Sequence, residues 1–150
     1  MHIKYKLVLL YSLKNFMGVI AKNPKLTTLY YHPDNKNVNA YLGVMNSLRS
    51  ETRTIDLSQT KLTGTQWAEL ASFLDRSPDE LIYKEHPYFV DKFGNPNAKL
   101  EDHDALRILQ THPEILLNPI ALRGEKAVIA EHPNDITRLQ ESDSGDVPIP

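Results

Sequence analysis

Apolar and polar positions alternate in three different rhythms along residues 25–140. Lys25 to Tyr31 is dense in Thr, Leu and Tyr and predicts a strand covered on both faces. A polar loop follows, His32-Pro33-Asp34-Asn35-Lys36-Asn37, after which Val38, Tyr41, Leu42, Met45 and Leu48 recur at helical spacing. Asn35 or Asn37 is placed to cap that helix. Arg53 to Leu57 alternates again, with Ile55 and Leu57 apolar and Thr54 and Asp56 polar, and predicts a second strand. Strand, helix and strand in so short a span imply a parallel, right-handed crossover.

The middle is helical. Thr63 and Gln66 form a capping box ahead of the stripe Trp67, Leu70, Ala71 and Leu74. Ser77-Pro78-Asp79-Glu80 is a second box, with proline at the first helical position. Glu85 to Lys99 carries Pro87, Gly94 and Pro96 and is expected to be mostly loop. Asp102 is expected to cap a helix that turns Ala105, Leu106 and Leu109 inward and stops at His112-Pro113.

In the last third the period returns to two. Asn118 to Leu122 predicts a strand entered at Pro119, Arg123-Gly124-Glu125 a turn, and Lys126 to Ala130 the antiparallel return. His132-Pro133-Asn134-Asp135 opens a final helix with Ile136 and Leu139 inward. Residues 141–150 lack apolar periodicity and are expected to be a disordered tail. The element order, βαβ, helices, then ββα, is that of an α/β thioredoxin-like fold with a helical insertion.

The N-terminus has a basic start and a short apolar run, Leu7 to Leu13, which mimics a leader. The run is too short to cross a bilayer and no small-residue cleavage site follows before Met17-Gly18. Residues 1–24 are therefore expected to extend the core domain of residues 25–140, with Met17 a candidate start.

Composition narrows the chemistry. The 150 residues hold 17 Lys+Arg, 19 Asp+Glu and no cysteine, for a net charge of -2. Near-neutral charge argues against a nucleic-acid footprint. The absence of cysteine excludes disulfides, thiolate metal sites and every thiol mechanism. That matters at the 32–37 loop. A strand that feeds a helix N-terminus through a short polar loop is suited to stabilising an anion or a reactive thiolate.

Three segments resemble the glutaredoxin-linked arsenate reductase family, which includes the Spx-type transcription regulators. Leu29-Tyr30-Tyr31-His32-Pro33-Asp34-Asn35 is similar to the family's first strand and active loop. His112-Pro113-Glu114-Ile115-Leu116-Leu117-Asn118-Pro119-Ile120 resembles its His-Pro, apolar run and Arg-Pro-Ile segment. Gly124 to Ile136 resembles its closing hairpin and the entry to its last helix.

By that resemblance the nucleophilic cysteine falls on Asn35, the oxyanion-binding arginine before the proline on Asn118, and the hairpin arginine near Lys126. An arginine of the insertion falls near Tyr83 or Lys84. Pro119 is retained as a structural residue, and the resemblance implies a cis Asn118–Pro119 bond. A carboxamide is a poor nucleophile and cannot form a mixed disulfide or an arseno-thiol. No catalytic residue is therefore expected. Asn35, Lys36, Asn37, Asn118 and Lys126 remain as candidate anion ligands beside the helix N-terminus, with Asp34 as a counter-argument.

Other constellations have plainer explanations. His32, His86, His112 and His132 each precede proline and are expected to mark segment boundaries rather than bind metal. Trp67 and the Tyr30-Tyr31 pair are expected to pack, and Glu101, Asp102 and Asp104 to serve a helix start. The expectation is a cysteine-less, cytoplasmic, monomeric interaction protein with no cofactor, no nucleic acid and no membrane contact. The alternatives are a phosphate- or arsenate-binding protein, or an arsenate reductase by similarity only. A protein partner is suggested by analogy with the Spx-type regulators, which bind RNA polymerase.

Overall fold

The structure, a computed structural model, describes Ile20 and residues 23–140. The expectations for the extension and for the tail at 141–150 lie almost wholly outside the described residues. The strands are β1 (Leu26–Tyr31), β2 (Glu51–Asp56), β3 (Ile120–Arg123) and β4 (Lys126–Ile129). The helices are α1 (Val38–Ser47), α2 (Gly64–Leu74), α3 (Pro87–Phe93) and α4 (Asp102–Thr111). Short 3-10 turns occupy Pro78–Leu81, Pro113–Ile115 and Pro133–Thr137.

The sheet has four strands in the order β2-β1-β3-β4. β1 pairs parallel with β2 and antiparallel with β3, and β3 pairs antiparallel with β4. The period-two pattern sorts side chains to two faces. Tyr30, Ile120 and Leu122 pack with Trp67 and Leu70 of α2 and with Ile108 and Leu109 of α4. Leu29 and Ala121 face the other way, against Tyr41 and Met45 of α1 and Ile136 and Leu139 near the C-terminal end. The β3–β4 turn puts Gly124, at φ 62°, where a II′ hairpin needs a residue free of a Cβ.

Several local expectations hold. Thr63 and Gln66 close their capping box, with Gln66 N–H donating to Thr63 Oγ1 (3.1 Å) and Thr63 N–H to Gln66 Oε1 (2.9 Å). Glu80 accepts from the Ser77 backbone N–H at 2.8 Å, although the turn it opens is 3-10 rather than α. Trp67 is fully buried. Tyr30 is buried and Tyr31 half-buried; burial raises the Tyr30 pKa, against a smaller lowering by the Arg53 charge and by a hydrogen bond with the same side chain.

Others do not. The 85–99 segment contains α3, because Pro87 sits at the first helical position and Phe89 is a fully buried anchor, its ring tilted at 41° to that of Phe93 with centroids 4.7 Å apart. A seven-residue helix with a single fully buried side chain, Phe89, leaves too little periodicity to read. Glu101 rather than Asp102 occupies the α4 N-cap, and Leu106 is half-buried while Ile108 is buried. Asn37 occupies the α1 N-cap position in the left-handed region (φ 61°) and makes no capping hydrogen bond. The Asn118–Pro119 bond is trans, like every described peptide bond. Trans is the lower-energy X–Pro isomer by about 0.5–1 kcal/mol. The Pro119 carbonyl is held by Ala130 N–H at 2.8 Å.

Candidate functional site

In open α/β sheets ligands collect beyond the carboxyl ends of the strands. Here that edge carries the loop after β1 and the segment entering β3. Asn35 joins them. Its Oδ1 accepts from His32 N–H at 2.8 Å, and its Nδ2 donates to the Leu116 carbonyl at 3.0 Å. Its backbone N–H donates to the His32 carbonyl at 2.9 Å. Loop closure is completed by Asp34 N–H, which donates to His32 Nδ1 at 3.0 Å. Both halves of the carboxamide are thus engaged by backbone 81 residues apart in one direction and three in the other.

The Leu116 side of this joint is itself fixed. Leu117 N–H donates to the Leu81 carbonyl (2.9 Å) and Tyr83 N–H to the Ile115 carbonyl (2.7 Å), around an antiparallel bridge between Ile82 and Leu116. Hydrogen bonds from the insertion therefore hold the strand-entry segment, which in turn holds Asn35.

Next to the joint lies a cleft of about 530 Å³. Asn35, Lys36, Asn37, Asn118 and Pro119 all line it. Lys126 does not join them. It pairs with Arg123 at the hairpin end of the sheet, whereas the cleft lies beyond the opposite ends of β3 and β4, at Pro119, Glu131 and His132. His132 is the basic-capable residue that the hairpin contributes. Its position before Pro133 is the signal that could have found it. Of the two insertion residues, Tyr83 lines the cleft. Lys84 turns to Asp79, with Nζ 2.8 Å from Oδ2, while the other carboxylate oxygen of buried Asp79 accepts from Leu100 N–H at 2.8 Å.

The cleft is acidic. Asp34, Glu85, Glu114 and Glu131 line it against a single lysine, Lys36. Burial pushes the Glu114 carboxyl up, but its own backbone N–H and the His112 ring, Nδ1 at 3.1 Å from Oε2, pull it further down, for a net lowering. Burial raises the Tyr41 pKa, and the negative charges of Asp135 and Glu131 raise it further. The Tyr41 hydroxyl donates to the Ala130 carbonyl at 2.6 Å.

The histidines sit at segment boundaries. His86 Nδ1 accepts from Tyr88 N–H at 3.1 Å at the start of α3, and His132 N–H donates to Asp135 Oδ2 at 3.0 Å. His112 ends α4, and its ring stacks on Tyr88 with centroids 3.9 Å apart. Among the described residues no three His, Asp or Glu side chains meet as a metal-holding group. Glu101, Asp102 and Asp104 are exposed at the start of α4. Among the described residues no helix is long and apolar enough to cross a membrane.

No family model and no curated protein matches the chain. Solved structures do. An arsenate reductase from Vibrio cholerae superposes with a TM-score of 0.67 at 14% identity, covering 78% of this chain and 99% of its own. A Yersinia pestis protein, assigned the same activity only provisionally, gives 0.65 at 16% identity over 75% of this chain and 98% of its own. With its mixed four-stranded sheet, this cysteine-free chain has the thioredoxin-like fold of the arsenate reductases.

Proposed function

We propose that this protein is a non-catalytic, cytoplasmic interaction module on an arsenate-reductase-type frame. One observation carries the proposal. Asn35, where the resemblance puts the nucleophilic cysteine, spends its carboxamide on two backbone groups of the scaffold. Thiol chemistry needs a thiolate, and the chain holds no cysteine to supply one. A retained frame with a converted reactive position fits a protein that binds others, as the Spx-type regulators do by analogy of fold.

A second proposal, binding of a small oxyanion, draws on Asn35, Lys36, Asn37 and Asn118, which meet in one cleft. The charges weigh against it. A helix N-terminus favours an anion by about 0.3–1 kcal/mol. Two unit charges roughly 8 Å apart repel by about 2 kcal/mol at an effective dielectric constant of about 20. Four carboxylates against one lysine therefore outweigh the helix end.

The test is an arsenate reduction assay with glutathione and glutaredoxin. The expected rate equals the protein-free blank; turnover above it overturns the proposal. A rise in melting temperature with millimolar phosphate would favour the oxyanion alternative instead.

A further inference from the structure

The acidic cleft has an apolar wall as well as charged ones. Tyr41, Tyr83, Leu116 and Pro119 contribute to it, and Leu117 stands at its edge. Leu117 is 44% exposed and is the exposed large hydrophobic side chain among the described residues. It is not a loose loop tip. Its N–H is bonded to the Leu81 carbonyl, one residue beyond the Leu116 carbonyl that Asn35 holds. A cavity with an apolar and aromatic wall and a few polar groups is the usual form of a binding site, and Leu117 carries that wall out to the surface. Asn118, half-buried in the same wall, makes no side-chain hydrogen bond among the described residues and offers both a donor and an acceptor to a passing backbone.

Charge chooses the occupant. Glu85, Glu114 and Glu131 come from three separate segments to one cleft, in a chain whose total charge is only -2. Against its burial, the Glu114 carboxyl is held below its usual value by its own backbone N–H and by the His112 ring, 3.1 Å away. Arginine or lysine answers such carboxylates, and an aromatic wall of tyrosine also favours a guanidinium. An acidic peptide or a nucleic-acid phosphate meets repulsion instead.

We propose that the cleft docks a protein segment that joins an apolar side chain, packed on Leu117, to a lysine or arginine directed at Glu114 and Glu131. The inference rests on the interaction role proposed above and names the chemistry of the partner.

The test uses the full chain and two fluorescein-labelled peptides in an anisotropy titration. One alternates leucine with lysine and arginine; the other replaces the basic residues with glutamate. The expected result is at least tenfold tighter binding of the basic peptide, weakened by added salt. It also falls at least fivefold in Leu117→Ser and in the double variant Glu114→Gln/Glu131→Gln, with melting temperatures confirming that both variants fold. Binding of neither peptide, or binding of the basic peptide unchanged in both folded variants, overturns the inference. Equal binding of the acidic peptide, lost in Leu117→Ser, rejects the charge assignment while leaving an interaction role standing. Arsenate turnover in the same preparation would reject that role itself.

Discussion

The Asn35 side-chain amide donates to the Leu116 carbonyl across 3.0 Å and ties the loop after the first strand to the segment that enters the third. Residues of both segments line the same cleft. A thiol could not make the same joint, because it offers one weak donor and one weak acceptor in place of a planar amide. Position 35 therefore holds a fastening where the family resemblance puts a nucleophile.

Restoring the thiol alone should not restore the chemistry. Asn35→Cys is expected to show no arsenate turnover above blank, since Asn118 supplies no guanidinium and Glu114, Glu131 and Asp34 oppose an oxyanion. It should also unfold at lower urea concentration than the parent, because the His32 N–H and Leu116 carbonyl lose their partner.

Asp79 anchors the insertion. Its carboxylate is 8% exposed and holds both Lys84 and the Leu100 N–H. Asp79→Ala should cost about 3 kcal/mol in urea unfolding, the scale for breaking a buried pair from one side. Asp79→Asn keeps an acceptor for Leu100 and should cost less.

The Tyr41 hydroxyl fixes the Ala130 carbonyl at 2.6 Å, where β4 leaves the sheet. Tyr41→Phe retains the ring and removes the donor. A loss of about 1 kcal/mol is expected by chemical denaturation, with little change in the slope against urea.

Glu114 makes stability depend on pH. Its folded-state pKa is lowered, so its contribution is fully present above the ordinary carboxylate value. The contribution is lost as pH falls through the lower folded value. With the side chain 30% exposed, less than about 1 kcal/mol is at stake. Unfolding curves of the parent and Glu114→Gln should therefore differ most near pH 6 and converge toward pH 3. A gap that widens on acidification would contradict the assignment.

The sequence made much of this fold legible because its signals are local. The Thr63–Gln66 box, the Gly124 turn and the alternation through Leu29, Tyr30, Ile120 and Ala121 each sit within a few residues. What escaped is set by contacts distant along the chain. α3 exists because Phe89 is buried by the rest of the insertion. Asn35 does not cap α1 because its amide is committed to His32 and Leu116. The acidity of the cleft needs Glu85, Glu114 and Glu131 to be brought together, and nothing in their separate neighbourhoods announces it. The hairpin residue at the cleft is His132 rather than Lys126, because strand register fixes Lys126 opposite Arg123 at the far end.

Urea unfolding of Asn35→Ala tests most directly whether position 35 fastens the two halves of the domain. Two buried-edge hydrogen bonds lose their partner, and a loss of about 1–3 kcal/mol in unfolding free energy is expected. Stability within about 0.5 kcal/mol of the parent, the range of an ordinary surface substitution, would contradict the account.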